Sequence, residues 1–118
     1  MHATADHLLA FSSLLAQDPD AQRLHHRHLQ VLALVCANTL PLSVRGIAEQ
    51  IKLSPSATSR AVDKLVERGL LTRADSADDR RVAVVLPTEA GARLDLRVRG
   101  HFARAAQPAG GRRPASAA

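Results

Sequence analysis

Aromatic residues are almost absent from this 118-residue sequence, which has no tryptophan, no tyrosine and only two phenylalanines, Phe11 and Phe102. Proteins that bind single-stranded nucleic acid need several aromatic rings on which the bases stack. The sequence therefore argues against that class of protein and predicts a core of aliphatic side chains. Hydrophobic residues still make up 46% of the chain, which favours a globular domain over a disordered segment.

Cysteine and long apolar runs are also scarce. The single cysteine, Cys36, excludes an intramolecular disulfide and is typical of a reducing compartment. No apolar run has the length that a membrane span requires, and the N-terminus lacks the basic-then-apolar pattern of a signal peptide. We expect a cytoplasmic protein without a membrane partner.

Acidic residues are outnumbered by basic ones. The chain has 16 lysines and arginines against 11 aspartates and glutamates, a net charge of +5 and a pI of about 11.0. This balance indicates an anionic partner, and nucleic acid is the first candidate.

The pattern of apolar residues and breakers predicts a mainly α fold with a small β-hairpin wing, a winged helix-turn-helix. One domain is expected over residues 1–106, followed by a disordered Pro-, Gly- and Ala-rich tail over 107–118. The predicted helices cover residues 6–17, 21–37, 44–51 and 55–68, with a fifth beginning after Thr88; the predicted strands are 70–74 and 81–86.

The helices of the predicted helix-turn-helix have recognisable ends. Ser43 and Ser54 are suited to cap the two helices, because a serine hydroxyl accepts a hydrogen bond from a free backbone N–H. Pro55 suits the first helical position, where no N–H is needed. Gly69 suits the left-handed turn that ends the second helix.

The second of these helices, residues 55–68, has the character of a recognition helix. Its apolar side must pack on the domain, with Thr58 as a structural residue near that side, so its polar side faces outward. Small hydroxyls and a long arginine there can approach base edges and phosphates in a major groove. The candidate residues for this groove are Ser54, Ser56, Ser59, Arg60 and Lys64, and Ser43 is a further candidate for DNA binding. The alternative is an amphipathic surface helix with a solvated charged face.

The predicted hairpin, the wing over residues 70–86, has an acidic tip followed by two arginines. Asp75, Asp78 and Asp79 precede Arg80 and Arg81. An aspartate can hold one arginine in a fixed direction while the other enters the minor groove, where the potential is most negative. The alternative is a polar turn with ordinary surface ion pairs.

Taken together, these segments resemble the MarR family of bacterial winged-helix transcriptional regulators. The clear resemblance covers residues 42–94 and extends more weakly back to Leu24. It is carried by the segments Leu53-Ser54-Pro55-Ser56, Ser59-Arg60, Val62-Asp63-Lys64-Leu65, Glu67-Arg68-Gly69-Leu70, Asp78-Asp79-Arg80-Arg81 and Thr88-Glu89-Ala90-Gly91.

The resemblance implies a homodimer on a pseudo-palindromic site in double-stranded DNA, acting as a repressor that a small-molecule effector or oxidation releases. Family members dimerise through their N- and C-terminal helices. The sequence departs from this pattern after the wing, where only one helix is predicted. On it, the apolar stripe Leu94, Val98, Phe102 and Ala105 has no evident intrachain cover, so we expect a dimer to cover it. The alternative function is a winged-helix protein-interaction module with weak or no DNA binding.

The sequence gives only weak indications of a metal site, a redox-active cysteine or an enzyme active site. His25 and His28 lie one helical turn apart, but a metal site needs three or four ligands, and only His7, Asp18 and Asp20 are plausible additions. Cys36 sits in an apolar helix, which favours a plain thiol over a redox sensor. Serine and histidine are not arranged with an orienting acid, and there is no Gly-rich phosphate loop. We expect no enzymatic activity, no cofactor and no metal.

Overall fold

Five helices and one β-hairpin form the described part of the chain, residues 2–76 and 81–106 of a computed structural model. This architecture confirms the predicted fold class. In chain order the elements are α1 (His2–Gln17), α2 (His26–Ala37), α3 (Val44–Ile51), α4 (Pro55–Glu67), β1 (Leu71–Asp75), β2 (Ala83–Pro87) and α5 (Glu89–Ala105). None of the helices in these residues is both long and apolar enough to cross a membrane.

The segment before α2 differs from its prediction. We expected a helix from residue 21, but α2 begins at His26. The carboxylate of Asp18 accepts hydrogen bonds from the backbone N–H groups of Asp20 and Ala21, at 3.0 and 3.4 Å. An aspartate side chain that binds nearby backbone groups offers the chain an alternative to the helix, so residues 18–24 form an irregular turn.

Two further boundaries were misplaced. Helix α1 begins at His2, earlier than the predicted residue 6, and strand β2 begins at Ala83, two residues later than predicted. Ser76 still donates its backbone N–H to the carbonyl of Val82 at 2.9 Å, so backbone pairing continues one residue beyond β1 and β2.

The core is aliphatic, as predicted. It lies where α2, α3, α4, the hairpin and α5 meet. Its largest fully buried hydrophobic side chains are Leu32, Ile47, Leu65, Leu71, Leu94, Val31, Val62 and Val85.

Strand β2 forms backbone hydrogen bonds along both of its edges. Strands β1 and β2 are antiparallel, with Leu71 opposite Pro87 and Asp75 opposite Ala83. On the other side of β2, the backbone N–H of Val85 donates to the carbonyl of Leu42 at 2.8 Å. This bridge anchors the base of the wing to the chain just before α3.

The end of α4 and the start of α5 meet at a tight junction. Gly69, with φ of +74°, ends α4 with the backbone bonds Gly69 N–H to Val66 and Leu70 N–H to Leu65. Thr88 caps α5 and donates its hydroxyl to the Gly69 carbonyl at 2.6 Å. These bonds fix the C-terminal end of α4 against the body of the domain.

The expectation that the α5 stripe lacks intrachain cover is wrong for most of its members. Leu94 and Ala105 are buried, and Val98 is half-buried against the core. The reason is that α2 and β2 pack on α5 and that α1 folds back along it, where the ring of Phe11 meets Phe102 edge-on at 5.3 Å. Only Phe102 stays largely accessible, with 52% of its surface exposed.

Candidate nucleic-acid interface

The turn between α3 and α4 is short because both of its ends are capped locally. Ser43 accepts a hydrogen bond from the backbone N–H of Gly46 at 3.1 Å and so caps α3. Lys52 ends α3 in the left-handed conformation, with φ of 57°. Its N–H and that of Leu53 both bind the carbonyl of Ala48, so α4 starts after only three residues. The half-buried Ser43 is thus a helix cap as well as a predicted DNA contact.

The start of α4 presents two serine hydroxyls. Ser54 caps the helix by accepting from the N–H of Ala57 at 3.2 Å, and Pro55 occupies the first turn, as predicted. The Ser56 hydroxyl lies 3.5 Å from that of Ser54, and both residues are exposed. Hydroxyls here stand beside the free N–H groups of the helix N-terminus, an arrangement that suits phosphate.

The polar side of α4 is divided between exposed and half-buried residues. Arg60 is exposed, and no hydrogen bond or ion pair joins it to another residue in the described part of the chain. Ser59 and Lys64 are half-buried, less accessible than the helical wheel indicates. Thr58 is fully buried, which confirms its structural role, and its hydroxyl has no hydrogen-bond partner among the described residues.

An ion pair that the sequence analysis missed joins α4 to the wing. Arg73 on β1 donates to the carboxylate of Asp63 on α4. The two residues are ten positions apart and lie on different elements, so their contact depends on the angle between helix and hairpin. No periodicity in the sequence signals such a pair.

The structure describes only some of the residues at the tip of the wing. Arg81 is exposed just before β2. Asp78, Asp79 and Arg80 lie outside the described residues, and so does the predicted pairing of an aspartate with one of the arginines.

Two histidines, His25 and His28, form a hydrogen bond at the start of α2. His25 is the residue before the first turn rather than a helical residue, and its backbone N–H donates to Nδ1 of His28 at 3.0 Å. Burial lowers the pKa of His28, and the neighbouring cationic groups lower it further. Within residues 2–76 and 81–106, no three histidine, cysteine or acidic side chains are placed to hold a metal ion.

Cys36 has the environment of an unreactive thiol. It is half-buried on α2, and this burial, with the nearby carboxylate of Asp95, raises its pKa to about 11. A thiol with a raised pKa is a poor nucleophile at neutral pH, because the thiolate is the reactive form.

A buried carboxylate, also missed from the sequence, links the turn after α1 to α5. Asp18 accepts from Nε of Arg97 at 3.0 Å and lies 3.2 Å from Nε2 of His101. Burial alone would raise the pKa of Asp18, but these hydrogen bonds, with those from the backbone, hold it well below its usual range. The cleft beside this group has a volume of about 510 Å³, and Arg104 also lines it.

Comparison with known proteins agrees with this geometry. The family model described as MarR family matches residues 24–82. The chain is similar to CouR from Rhodococcus jostii RHA1, solved with p-coumaroyl-CoA, at 31% identity and a TM-score of 0.69, over 88% of this chain and 70% of that one. It is also similar to a MarR-family regulator from Rhodococcus sp. RHA1, at 30% identity and a TM-score of 0.67, over the same shares.

A more distant structure shows the same fold. The MepR–DNA complex of S. aureus has 18% identity and a TM-score of 0.73, over 81% of this chain and 78% of that one. No curated protein is matched by this sequence.

Proposed function

Because the chain belongs to the MarR family of transcriptional regulators, we propose that it binds a pseudo-palindromic site in double-stranded DNA as a homodimer and represses transcription there. The observation that carries this proposal is the exposed N-terminal end of α4. Ser54, Ser56 and Arg60 are accessible on one helix end, and Arg60 has no partner among the described residues. An arginine that is free to reach outward can bind guanine through both O6 and N7.

In this docking, α4 lies in the major groove and the wing reaches the adjacent minor groove. Ser59 and Lys64 contribute from the next turns of α4, and Ser43 from the start of α3. Arg80 or Arg81 enters the minor groove, where a narrow groove attracts cationic side chains. The ion pair of Arg73 with Asp63 supports this arrangement, because it holds the hairpin at one angle to α4.

The dimer part of the proposal is supported by an exposed apolar surface on α1 and α5. Leu8 and Leu9 on α1 are 65% and 68% exposed, and Leu96 on α5 is 68% exposed. Phe102 lies beside α1 and is also largely accessible. A second copy would cover these side chains and would set two α4 helices about 10 bp apart along the duplex.

The effector site that we propose is the cleft between α5 and the turn after α1. Its charged lining consists of Asp18, Asp20, Arg97, His101 and Arg104. Arg97 pairs with both aspartates, and an acidic small molecule would take their place on its guanidinium. CouR, similar to this chain, was solved with the acidic ligand p-coumaroyl-CoA. An acidic ligand that competes with Asp18 for Arg97 would loosen the contact between α5 and the α1–α2 turn.

Selection from a pool of random duplexes tests the function directly. We expect enrichment of an inverted repeat whose half-sites are about 10 bp apart. Arg60→Ala should then weaken binding to the selected site by about 1–3 kcal/mol and relax the preference at one base pair. Arg93→Gln is the matched control, because Arg93 pairs with Glu89 at the start of α5. A wild-type protein that enriches no sequence and binds no duplex would overturn the proposal and favour a protein-interaction module.

A further inference from the structure

A basic pocket of about 350 Å³ lies between the start of α2 and the first turns of α4. We call it the histidine pocket. None of the seven described residues that line it is acidic, and four of them are histidine or arginine side chains that belong to consecutive positions. The lining residues are His25, His26, Arg27, His28, Ala57, Arg60 and Ala61.

Positive charge converges on this pocket from both elements. His28 interacts electrostatically with His25 and His26 on its own segment, with Lys64 on α4 and with Arg68 just after α4. Burial lowers the pKa of His28, and electrostatic repulsion from these neighbours lowers it further. The pocket thus brings Arg27 and Arg60 together with three imidazoles and has no carboxylate among its described lining residues, which favours a bound anion.

The pocket lies toward the end of α4 that the proposed docking directs at the DNA. Ala57, Arg60 and Ala61 come from the first two turns of α4. The opposite end of α4 is fixed to Thr88 through the Gly69 carbonyl, on the side of the body. A phosphate strand that borders the groove containing α4 would therefore pass beside the histidine pocket rather than beside α5.

We propose that the histidine pocket receives a phosphate group of the DNA backbone, with His25, His26 and Arg27 as contacts additional to α4 and the wing. This inference rests on the proposed DNA-binding function. The contact is independent of base sequence, because phosphates position a protein on the duplex and carry no direct base information. Its strength depends on pH, because a phosphate stabilises the protonated form of an imidazole beside it.

The sign of the pH dependence follows from His28. Its pKa is lowered in the free protein, and its Nδ1 accepts the His25 N–H, so protonation of His28 breaks that bond. A phosphate in the pocket would accept the released N–H and favour the protonated ring, so binding takes up protons and DNA affinity should increase as the pH falls from 8 toward 6. If the pocket does not contact the DNA, His28 should take up no proton when the protein binds.

The first test is the double variant His26→Gln with Arg27→Gln, measured on the selected duplex and on random duplex at several salt concentrations. We expect roughly tenfold weaker binding to both duplexes and a slope of log affinity against log salt that is smaller by about 1 to 2. Arg93→Gln removes a positive charge from α5, which contributes no residue to the pocket, and should change neither quantity. Arg60→Ala, in contrast, should lose affinity mainly for the selected duplex.

The second test uses His28→Asn, since an asparagine oxygen can replace Nδ1 as the acceptor for the His25 N–H. This variant should keep its fold, by circular dichroism, and lose part of the rise in affinity from pH 8 to 6. If the wild type binds duplex DNA but the double variant matches Arg93→Gln in affinity and slope, the inference is overturned while the proposed function stands. If instead inorganic phosphate binds the pocket and DNA leaves the histidine signals unchanged in NMR spectra, the pocket is a small-anion site and the inference is likewise overturned.

Discussion

Arg73 on β1 donates a hydrogen bond to the carboxylate of Asp63 on α4, so a side-chain contact joins the wing to this helix. Both side chains are partly exposed, and such pairs contribute little to folding, about 0–1 kcal/mol. The pair matters more for orientation, because it restricts the angle between the hairpin and α4. It also neutralises a carboxylate on the helix face that is proposed to approach DNA.

We therefore expect Arg73→Gln to lower DNA affinity several-fold while the melting temperature changes little. The loss arises because the wing becomes freer and Asp63 is left as an unpaired negative charge near phosphate. Fluorescence anisotropy with labelled duplex measures the affinity, and thermal denaturation measures the stability. Asp63→Asn combined with Arg73→Gln should recover part of the affinity; a double variant weaker than Arg73→Gln would contradict this account.

Gly91 can only be glycine at the junction between α4 and α5. A Cβ atom built on it would lie 1.9 Å from the backbone carbonyl oxygen of Leu70, which cannot move as a side chain does. Gly91→Ala should therefore reduce the free energy of unfolding by about 1–3 kcal/mol or more through overpacking. Gly100→Ala is the control, because nothing lies within 4 Å of its Cβ position, and it should stabilise helix α5 by about 0.5–1 kcal/mol. Urea denaturation of the two variants should give opposite signs; two equal shifts would contradict the argument.

Two threonines of the domain should respond in opposite directions to the same change. The hydroxyl of Thr58 is buried without a partner among the described residues, so Thr58→Val should stabilise the fold by about 1 kcal/mol. The hydroxyl of Thr88 donates to Gly69 and accepts from the N–H of Gly91 at 3.0 Å. Thr88→Val should therefore cost about 1–2 kcal/mol. Chemical denaturation checks both, and a destabilised Thr58→Val would indicate that its hydroxyl binds a group such as water.

The buried carboxylate of Asp18 should make stability depend on pH. Its pKa in the folded protein lies below the unfolded value of about 3.9. The stabilisation is thus fully present above that unfolded value and is lost as the pH falls through the lower, folded value. Asp18→Asn should reduce the free energy of unfolding at pH 7 by about 2 kcal/mol and flatten the decline of stability at acid pH.

Asp20→Asn is the matched control for Asp18. Asp20 also pairs with Arg97, at 2.6 Å, but its side chain is 65% exposed. The control should cost less than about 1 kcal/mol, because an exposed ion pair is solvated in both states. Equal losses in the two variants, measured by denaturation from pH 3 to 7, would mean that burial of Asp18 is not what matters.

The fold was predictable because its signals are local. The caps at Ser43, Ser54 and Thr88 and the left-handed Gly69 depend on neighbouring residues alone, and the structure has all four. The start of α2 was misplaced because apolar residues before it, such as Leu24, are buried in a turn rather than in a helix.

Contacts between distant elements could not be predicted in the same way. The bonds of Asp18 to Arg97 and of Asp63 to Arg73 each depend on how two elements pack, and a single sequence contains no record of that angle. The histidine pocket shows the same limit. The run of histidines was evident in the sequence, but its place beside Arg60 is set by the crossing of α2 and α4.

The exposed apolar surface of α1 gives the sharpest test of the proposed homodimer. Leu8 and Leu9 are mostly exposed, whereas Phe102 also packs on Phe11 within the chain. Leu8→Glu with Leu9→Glu should therefore break a dimer at little cost to intrachain packing, while Phe102→Asp should weaken both the dimer and the fold. Light scattering at micromolar concentration should give the mass of two chains for the wild type and of one chain for the leucine variant.

The leucine variant also separates dimerisation from DNA contact, since its α4 and wing are unchanged. It should bind a single half-site as well as the wild type does, but it should lose the tight binding to the inverted repeat that two linked half-sites provide. Ser12→Glu with Ser13→Glu is the control, because these exposed residues lie on the same helix and are already polar. The dimer proposal is contradicted if the wild type has the mass of one chain and the leucine variant binds the inverted repeat as tightly as the wild type does. The regulator would then act as a monomer, and Leu8 and Leu9 would be exposed for another reason.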